Sequence, residues 1–406
     1  MAKPELRFKG FEGEWNRVSL SKIAKFSKGS GYSKMDLKDS GSPIILYGRL
    51  YTNYETVIRE VDTFVTPKGN SVVSKGGEII IPASGETPED IACASVVENS
   101  GIILGGDLNV LSIDDSEYDK AFTALAITYG TIHNELAKMA QGKTVVHLHN
   151  SEISKAQIYY PDSAFEQQTI ADYFKSLDSM IQATTKKIAS LKQMKSASLI
   201  SMFPQAGETT PRVRFKGFER EWVLHKIDDL LIQRNEQSAK SVEFPLKAFI
   251  AYKGVTDKGE RYDRSALIID VENKLYKRTY KGDFIYSSNN LESGSIGLND
   301  FGKATISPVY SIFYCKDIAD SDFIGYGLVR KEFIKEMVKW RQGVMYGQWR
   351  IHESDFLKIS ILAPTIEEQK KIGSYFRSLD MQISLQEQRL EKMKQIKAAC
   401  LDKMFV

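Results

Sequence analysis

The chain repeats itself, and this repeat limits the possible folds more than any other feature. RFKGFEGEW, Arg7 to Trp15, returns as RFKGFEREW, Arg214 to Trp222, with eight of nine positions identical at an offset of 207. A longer pair, residues 167–203 and 369–405, aligns without a gap at an offset of 202. It superposes Tyr173-Phe174 on Tyr375-Phe376, Leu177-Asp178 on Leu379-Asp380 and Met202-Phe203 on Met404-Phe405. The segments between these anchors, residues 17–160 and 224–363, share only scraps, such as Gly77-Glu78-Ile79 against Gly282-Asp283-Phe284. Two similar frames hold two dissimilar inserts.

The longer repeats have a helical period. Ile170, Phe174, Leu177, Ile181, Thr184, Ile188 and Leu191 follow one another at alternating steps of four and three, as do Ile372, Phe376, Leu379, Ile383, Gln386, Leu390 and Met393. A seven-residue apolar seam favours helices wound around each other. Thr184 and Gln386 occupy the same polar place in both seams, either as a tolerated exception or as a contact that fixes register. Pro161, Pro364 and Pro204 punctuate the helices. At ~1.5 Å per residue each helix is ~55 Å long. Packed antiparallel they would form a rigid spacer with approximate twofold symmetry; the seam could equally dock a partner's helices.

Each insert has the size of an ordinary domain. β-rich runs fall at 42–47, 78–82, 101–104 and 156–160, then at 266–270, 283–286, 307–314 and 358–362, with one late helix in each insert, at 116–139 and 321–341. The expected fold class is therefore α+β: two globular domains with long polar loops, separated by two long antiparallel coiled-coil helices in a pseudo-twofold internal repeat. Its segments are 1–161, 162–205, 206–364 and 365–406.

Loops on a rigid scaffold are where recognition concentrates, and here they interleave basic and aromatic side chains. Lys28, Tyr32, Lys34, Tyr47, Arg49 and Tyr51 do so in the first insert, with Lys143, Thr144 and His147 further on. In the second insert the set is Lys253, Arg261, Tyr262, Lys277, Arg278, Asn289, Asn290, Gln348 and Arg350. Arg and Lys neutralise phosphates or fork onto guanine, and Asn or Gln pairs with adenine in the major groove. A solvated strand edge uses the same residue types, so the group argues more strongly than any member. The net charge of +3 identifies no nucleic-acid binder by itself.

Other chemistries lack their residues. Gln141-Gly142-Lys143-Thr144 resembles the end of a phosphate-binding loop, but Ala137 stands where its first glycine belongs. His147 and His149 alternate without the further ligands that a metal site needs. No nucleophile elbow and no defensible pair of catalytic carboxylates occurs. Three distant cysteines fit a reducing compartment, and no apolar run reaches the roughly 18 residues of a membrane span. With no signal-peptide core at the N-terminus, the expectation is a cytoplasmic chain.

The RFKGFE-x-EW openings, the leads from Pro161 into Gln167 and from Pro364 into Glu368-Gln369, and the paired Tyr-Phe-x-Ser-Leu-Asp segments resemble the specificity subunit of a bacterial type I restriction-modification system. The resemblance covers essentially the whole chain. It implies that each insert is a target recognition domain reading one half of a split double-stranded DNA site, the first insert the 5′ half. The helices would set the gap and bind two methyltransferase subunits that methylate adenine N6 with S-adenosylmethionine, and restriction subunits using ATP and Mg would join the full complex. By the same resemblance the chain itself binds no cofactor or metal and is not an enzyme. A standalone or fused DNA-modifying or nuclease enzyme, or a structural coiled-coil adaptor, are the alternatives.

Overall fold

The computed structural model describes residues 2–114, 117–142, 145–257, 274–344 and 348–406. Two long helices, Ala164–Ser201 and Ile366–Met404, lie where the heptad pattern places them. The compact units are not consecutive segments: one comprises residues 1–186 and 388–406, the other residues 187–387. Each unit therefore contains one insert, the start of the long helix that follows it, and the end of the other long helix.

The first unit is built on a five-stranded sheet in the order Ala24–Lys28, Leu108–Ile113, Glu78–Pro82, Ser95–Val97 and Val57–Ile58. Its central strand reads Glu-Ile-Ile-Ile-Pro, and the unbroken apolar run means burial on both faces. Ile79 and Ile81 enter a core with Trp15, Leu111, Phe122 and Phe174, while Ile80 enters a second core with Val110 and Leu104. The second unit repeats the plan in other residues, in the order Leu231–Gln233, Ser311–Cys315, Phe284–Tyr286 and Ile296–Leu298. Phe284 and Tyr286 join Phe313 and Phe376 on one face, and Ile285 joins Ile312 on the other.

The shared Gly-acidic-apolar scrap has a backbone cause. Gly77 and Gly282 both open the central strand with positive φ, 88° and 86°, a conformation that costs glycine nothing. The late helix expected in each insert is instead two helices. Lys120–Tyr129 ends at Gly130 before Thr131–Met139, and Ser321–Leu328 ends before Lys331–Val338. Gly130 leaves the helical conformation (φ −79°, ψ 178°), and a Cβ there would lie 2.6 Å from the Ala126 carbonyl oxygen, so glycine accommodates a turn where a continuous helix was expected. The strand expected at 266–270 lies outside the described residues.

The repeated motifs tie each long helix to its insert. In the first unit Arg7 donates from Nε and Nη2 to both oxygens of Glu166, at 2.6 and 2.7 Å. In the second Arg214 does the same to Glu368, at 2.7 and 2.8 Å. Both carboxylates are buried, and the bond to its carboxylate raises the pKa of each arginine. The next residue latches a loop: Gln167 accepts from the Asp119 N–H and donates to the Glu117 and Pro161 carbonyls. Gln369 accepts from Asp320 and donates to Ile318 and Pro364.

The helix ends are equally specific. In the first unit Phe405 packs on Phe122 and Phe174, Tyr173 meets Cys400 and Lys397 pairs with Asp178. In the second unit Phe203 packs on Phe323 and Phe376, Ser198 meets Tyr375 and Lys195 pairs with Asp380. Of the seam residues, Ile170, Phe174, Leu177, Ile188, Leu191, Ile372, Phe376, Leu379, Ile383 and Met393 are buried, as is Thr184. Ile181, Gln386 and Leu390 are half-buried.

Candidate nucleic-acid interface

In the second unit three loops meet at the end of the central strand Phe284–Tyr286. The tip of the hairpin Ala248–Ile250/Gly254–Thr256 touches the loop that follows the central strand, where the Tyr252 N–H donates to the Gly294 carbonyl at 3.0 Å. The same loop holds a second hairpin, Gln342–Val344 with Gln348–Arg350. Asn289 Oδ1 accepts from the Trp349 N–H at 2.7 Å and Ser288 Oγ from the Ile351 N–H at 3.0 Å. Exposed at this edge are Tyr252, Lys253, Asn289, Asn290, Trp349 and Arg350. The structure thus gathers Lys253, Asn289, Asn290 and Arg350, which are far apart in sequence, and places Gln348 on the hairpin strand beside them.

Arg350 is held without being consumed. Its Nη2 lies 3.7 Å from Glu353, and its side chain is 55% exposed. Burial works to raise the Glu353 carboxyl, but its own backbone N–H, the Ser311 hydroxyl and the charges of Lys277 and Arg350 outweigh burial and keep it ionised. Lys277 belongs to this support rather than to the surface. It is 9% exposed, its Nζ donates to the Tyr310 carbonyl at 2.9 Å, and burial lowers its pKa. Arg278 is half-buried, its guanidinium over the Phe244 ring and bonded to Ser238. Both thus take part in the framework behind this edge, Lys277 from a buried position and Arg278 from a half-buried one. Arg261 and Tyr262 lie outside the described residues.

In the first unit the corresponding edge carries Lys28, His147 and His149, all exposed. Lys28 ends its strand opposite Asn109. His147 pairs with Ser84 across a short antiparallel ladder, with Ser84 Oγ 3.1 Å from His147 Nδ1. The two histidine rings lie parallel, with centroids 6.4 Å apart. Lys143 and Thr144 lie outside the described residues. Among the described residues no group of three or more His, Cys, Asp or Glu could hold a metal ion.

Other candidates of this unit serve its own loops. Tyr32 is buried; its hydroxyl accepts from the Lys68 N–H and bonds Ser71. Arg49 donates to Glu55, Asp62 and the Glu60 carbonyl, which consumes its charge. Half-buried Tyr47 packs on the second core, 6.3 Å from Tyr51. Tyr51 lines a cleft of about 670 Å³ with Tyr54, Cys93, Tyr129 and His133. Hydrogen bonds, ion pairs or apolar packing thus engage Tyr32, Arg49 and Tyr47 within the unit, while Tyr51 faces the cleft. Lys34 remains exposed.

Sequence reasoning missed Trp349, which is 50% exposed, and Ser84. The available signal was a faint recurrence: the segment from Gln141, which bridges His147, and the second-unit hairpin both open with Gln-Gly, Gln141-Gly142 and Gln342-Gly343, and run on to a histidine, His149 and His352.

Residues 12–193 and 219–395 each match the profile of the family described as the type I restriction modification DNA specificity domain. The fold is similar to that of the type I restriction-modification system S subunit from M. genitalium, with a TM-score of 0.64 at 14% identity, covering 100% of this chain and 99% of that one. More distant are the HsdS subunit from Thermoanaerobacter tengcongensis, with a TM-score of 0.44, 14% identity and 97% of each chain covered. A chain from a study of complex assembly and conformational transition of the type I R-M system gives 0.45 and 15%, covering 97% of this chain and 98% of that one. Comparison with curated protein sequences returns no significant match. The two profile matches take in most of the sequence, and so the chain belongs to the type I restriction-modification DNA specificity family, with two copies of the family's domain.

Proposed function

We propose that the two inserts read the two unlike halves of a split DNA site, with residues 1–161 and 206–364 as target recognition domains and residues 162–205 and 365–406 as the spacer that sets the gap. The observation that carries this reading is a pair of specificity-domain matches on two units with the same sheet plan and different exposed edges. Identical edges would favour a palindrome; these differ. An antiparallel coiled coil is supported by contacts inside each unit. Tyr173–Cys400 and Asp178–Lys397 run in opposite directions along the two helices, as do Lys195–Asp380 and Ser198–Tyr375.

The same helices offer outward apolar groups, Met180, Met194, Met381 and Leu385, that suit docking of two methyltransferase subunits. In that assembly S-adenosylmethionine belongs to the methyltransferases, and ATP with Mg belongs to the restriction subunits. This chain contributes recognition and no catalysis, and works where the DNA is, in the cytoplasm. Among the described residues no helix is long and apolar enough to cross a membrane. The test is co-expression with the methyltransferase and sequencing of modified genomic DNA. Adenine methylation at one split motif is expected; an active pair leaving no motif-specific methylation would contradict the proposal.

A further inference from the structure

The inserts cannot be aligned by sequence, but their strand registers align them. Gly77 and Gly282 open the two central strands, Leu111 opposes Ile79 where Phe313 opposes Phe284, and counting along the strands puts Ser84 on Asn289. The second hairpin gives an independent check. Gln141 bridges His147 in the first unit, and Gln342 pairs with Arg350 in the second. The following residue is tethered to the same loop in both: the Leu148 N–H donates to the Ala83 carbonyl at 3.1 Å, and the Ile351 N–H to Ser288 Oγ at 3.0 Å. Next come His149 and His352, which precede the short helices Asn150–Ile153 and Glu353–Phe356. The hairpin register and the tether that follows it superpose His147 on Arg350, and the strand count brings Ser84 and Asn289 to the same loop beside them.

We infer that His147 and Arg350 are the equivalent base-reading positions of the two units, and that Ser84 and Asn289 are the residues that position them. This rests on the proposal that the units read DNA. Each reader is exposed on a short strand whose neighbours are tied down, so little backbone freedom remains to be lost on binding. Arg350 presents a forked donor that matches guanine O6 and N7 in the major groove. Glu353 at 3.7 Å orients that fork loosely enough to release it. His147 has Nδ1 occupied by Ser84, leaving Nε2 for a single contact. The two units therefore differ in stringency at the same structural place. Asn289 touches no base in this scheme; it fixes the strand through the Trp349 N–H.

The test uses the full chain in complex with its methyltransferase, comparing wild type with R350A, R350K, N289A, N289D and H147A. Motifs are read from methylated genomic DNA and from selection on a random duplex library. R350A is expected to relax one G·C position of one half-site, lowering preference there by roughly ten- to hundredfold. The other half-site and the gap should stay unchanged. R350K keeps the charge without the fork and should relax the same position. N289A should relax that position too, while N289D, which retains the acceptor, should not. H147A should relax one position of the other half-site by a smaller factor. An unchanged motif, a uniform loss of affinity across all sequences, or relaxation in both halves from one substitution would overturn the inference. If R350A yields no complex, R350K decides: a motif kept intact by lysine would reduce Arg350 to a phosphate contact. A wild-type complex without any motif would instead defeat the DNA-reading proposal.

Discussion

Replacing Arg7 with methionine keeps most of the side-chain volume and removes the cation that, among the described residues, is bonded to Glu166. The Glu166 side chain is 2% exposed and that of Arg7 10%, and the carboxylate receives two guanidinium bonds at 2.6 and 2.7 Å. A third bond, from Nη1 to the Gly13 carbonyl, goes with them. Breaking a buried pair by deleting one partner leaves an uncompensated charge and costs ~3–5 kcal/mol. Replacing both partners with neutral groups leaves no such charge, so R7M/E166Q should cost only ~1–2 kcal/mol, about the worth of the lost hydrogen bonds. For a unit of this size each kcal/mol shifts Tm by ~2–4 °C, which puts the single variant ~6–20 °C below wild type. Scanning calorimetry measures the shift, and hydrogen exchange over residues 161–170 shows whether the helix start is what loosens. A loss below ~1 kcal/mol in R7M, or a double variant no better than the single, would refute a buried clamp and leave a surface pair.

Two other perturbations probe the helices. Gly373→Ala should destabilise by ~1–3 kcal/mol, although alanine normally improves a helix interior by ~1 kcal/mol. Its Cβ would lie 2.6 Å from Asp320 Oδ1 and 3.0 Å from the Phe323 nitrogen, so a gain in Tm would show that this contact yields. One heptad added within residues 186–202, matched by one within residues 388–404, lengthens the spacer by ~10.5 Å. The methylated motif should then keep both half-sites and gain about three base pairs of gap; an unchanged gap would remove the spacer role.

The parts of this molecule legible in sequence were those set by local period. The heptads gave the long helices because a seam is a property of spacing, and seam residues such as Phe174 and Phe376 are fully buried. Local period alone runs one helix through Gly130, whose extended conformation (φ −79°, ψ 178°) breaks it in the folded chain. The candidate interface was legible by residue type but not by residue. Tyr32, Arg49 and Lys277 have the chemistry of DNA contacts, yet their partners Ser71, Asp62 and Tyr310 come from loops that only the tertiary fold brings near. Trp349 was overlooked because an isolated aromatic carries no period. The equivalence of His147 and Arg350 was hidden by a difference of two residues in hairpin length.

In the proposed function, shared helices carry unshared readers. The most direct measurement of this division is the methylated motif of a chimera in which residues 17–160 are exchanged for those of a relative with a known, different motif. One half-site should change to the relative's sequence while the other half and the gap stay as they were. A change in both halves, or in neither, would contradict the account.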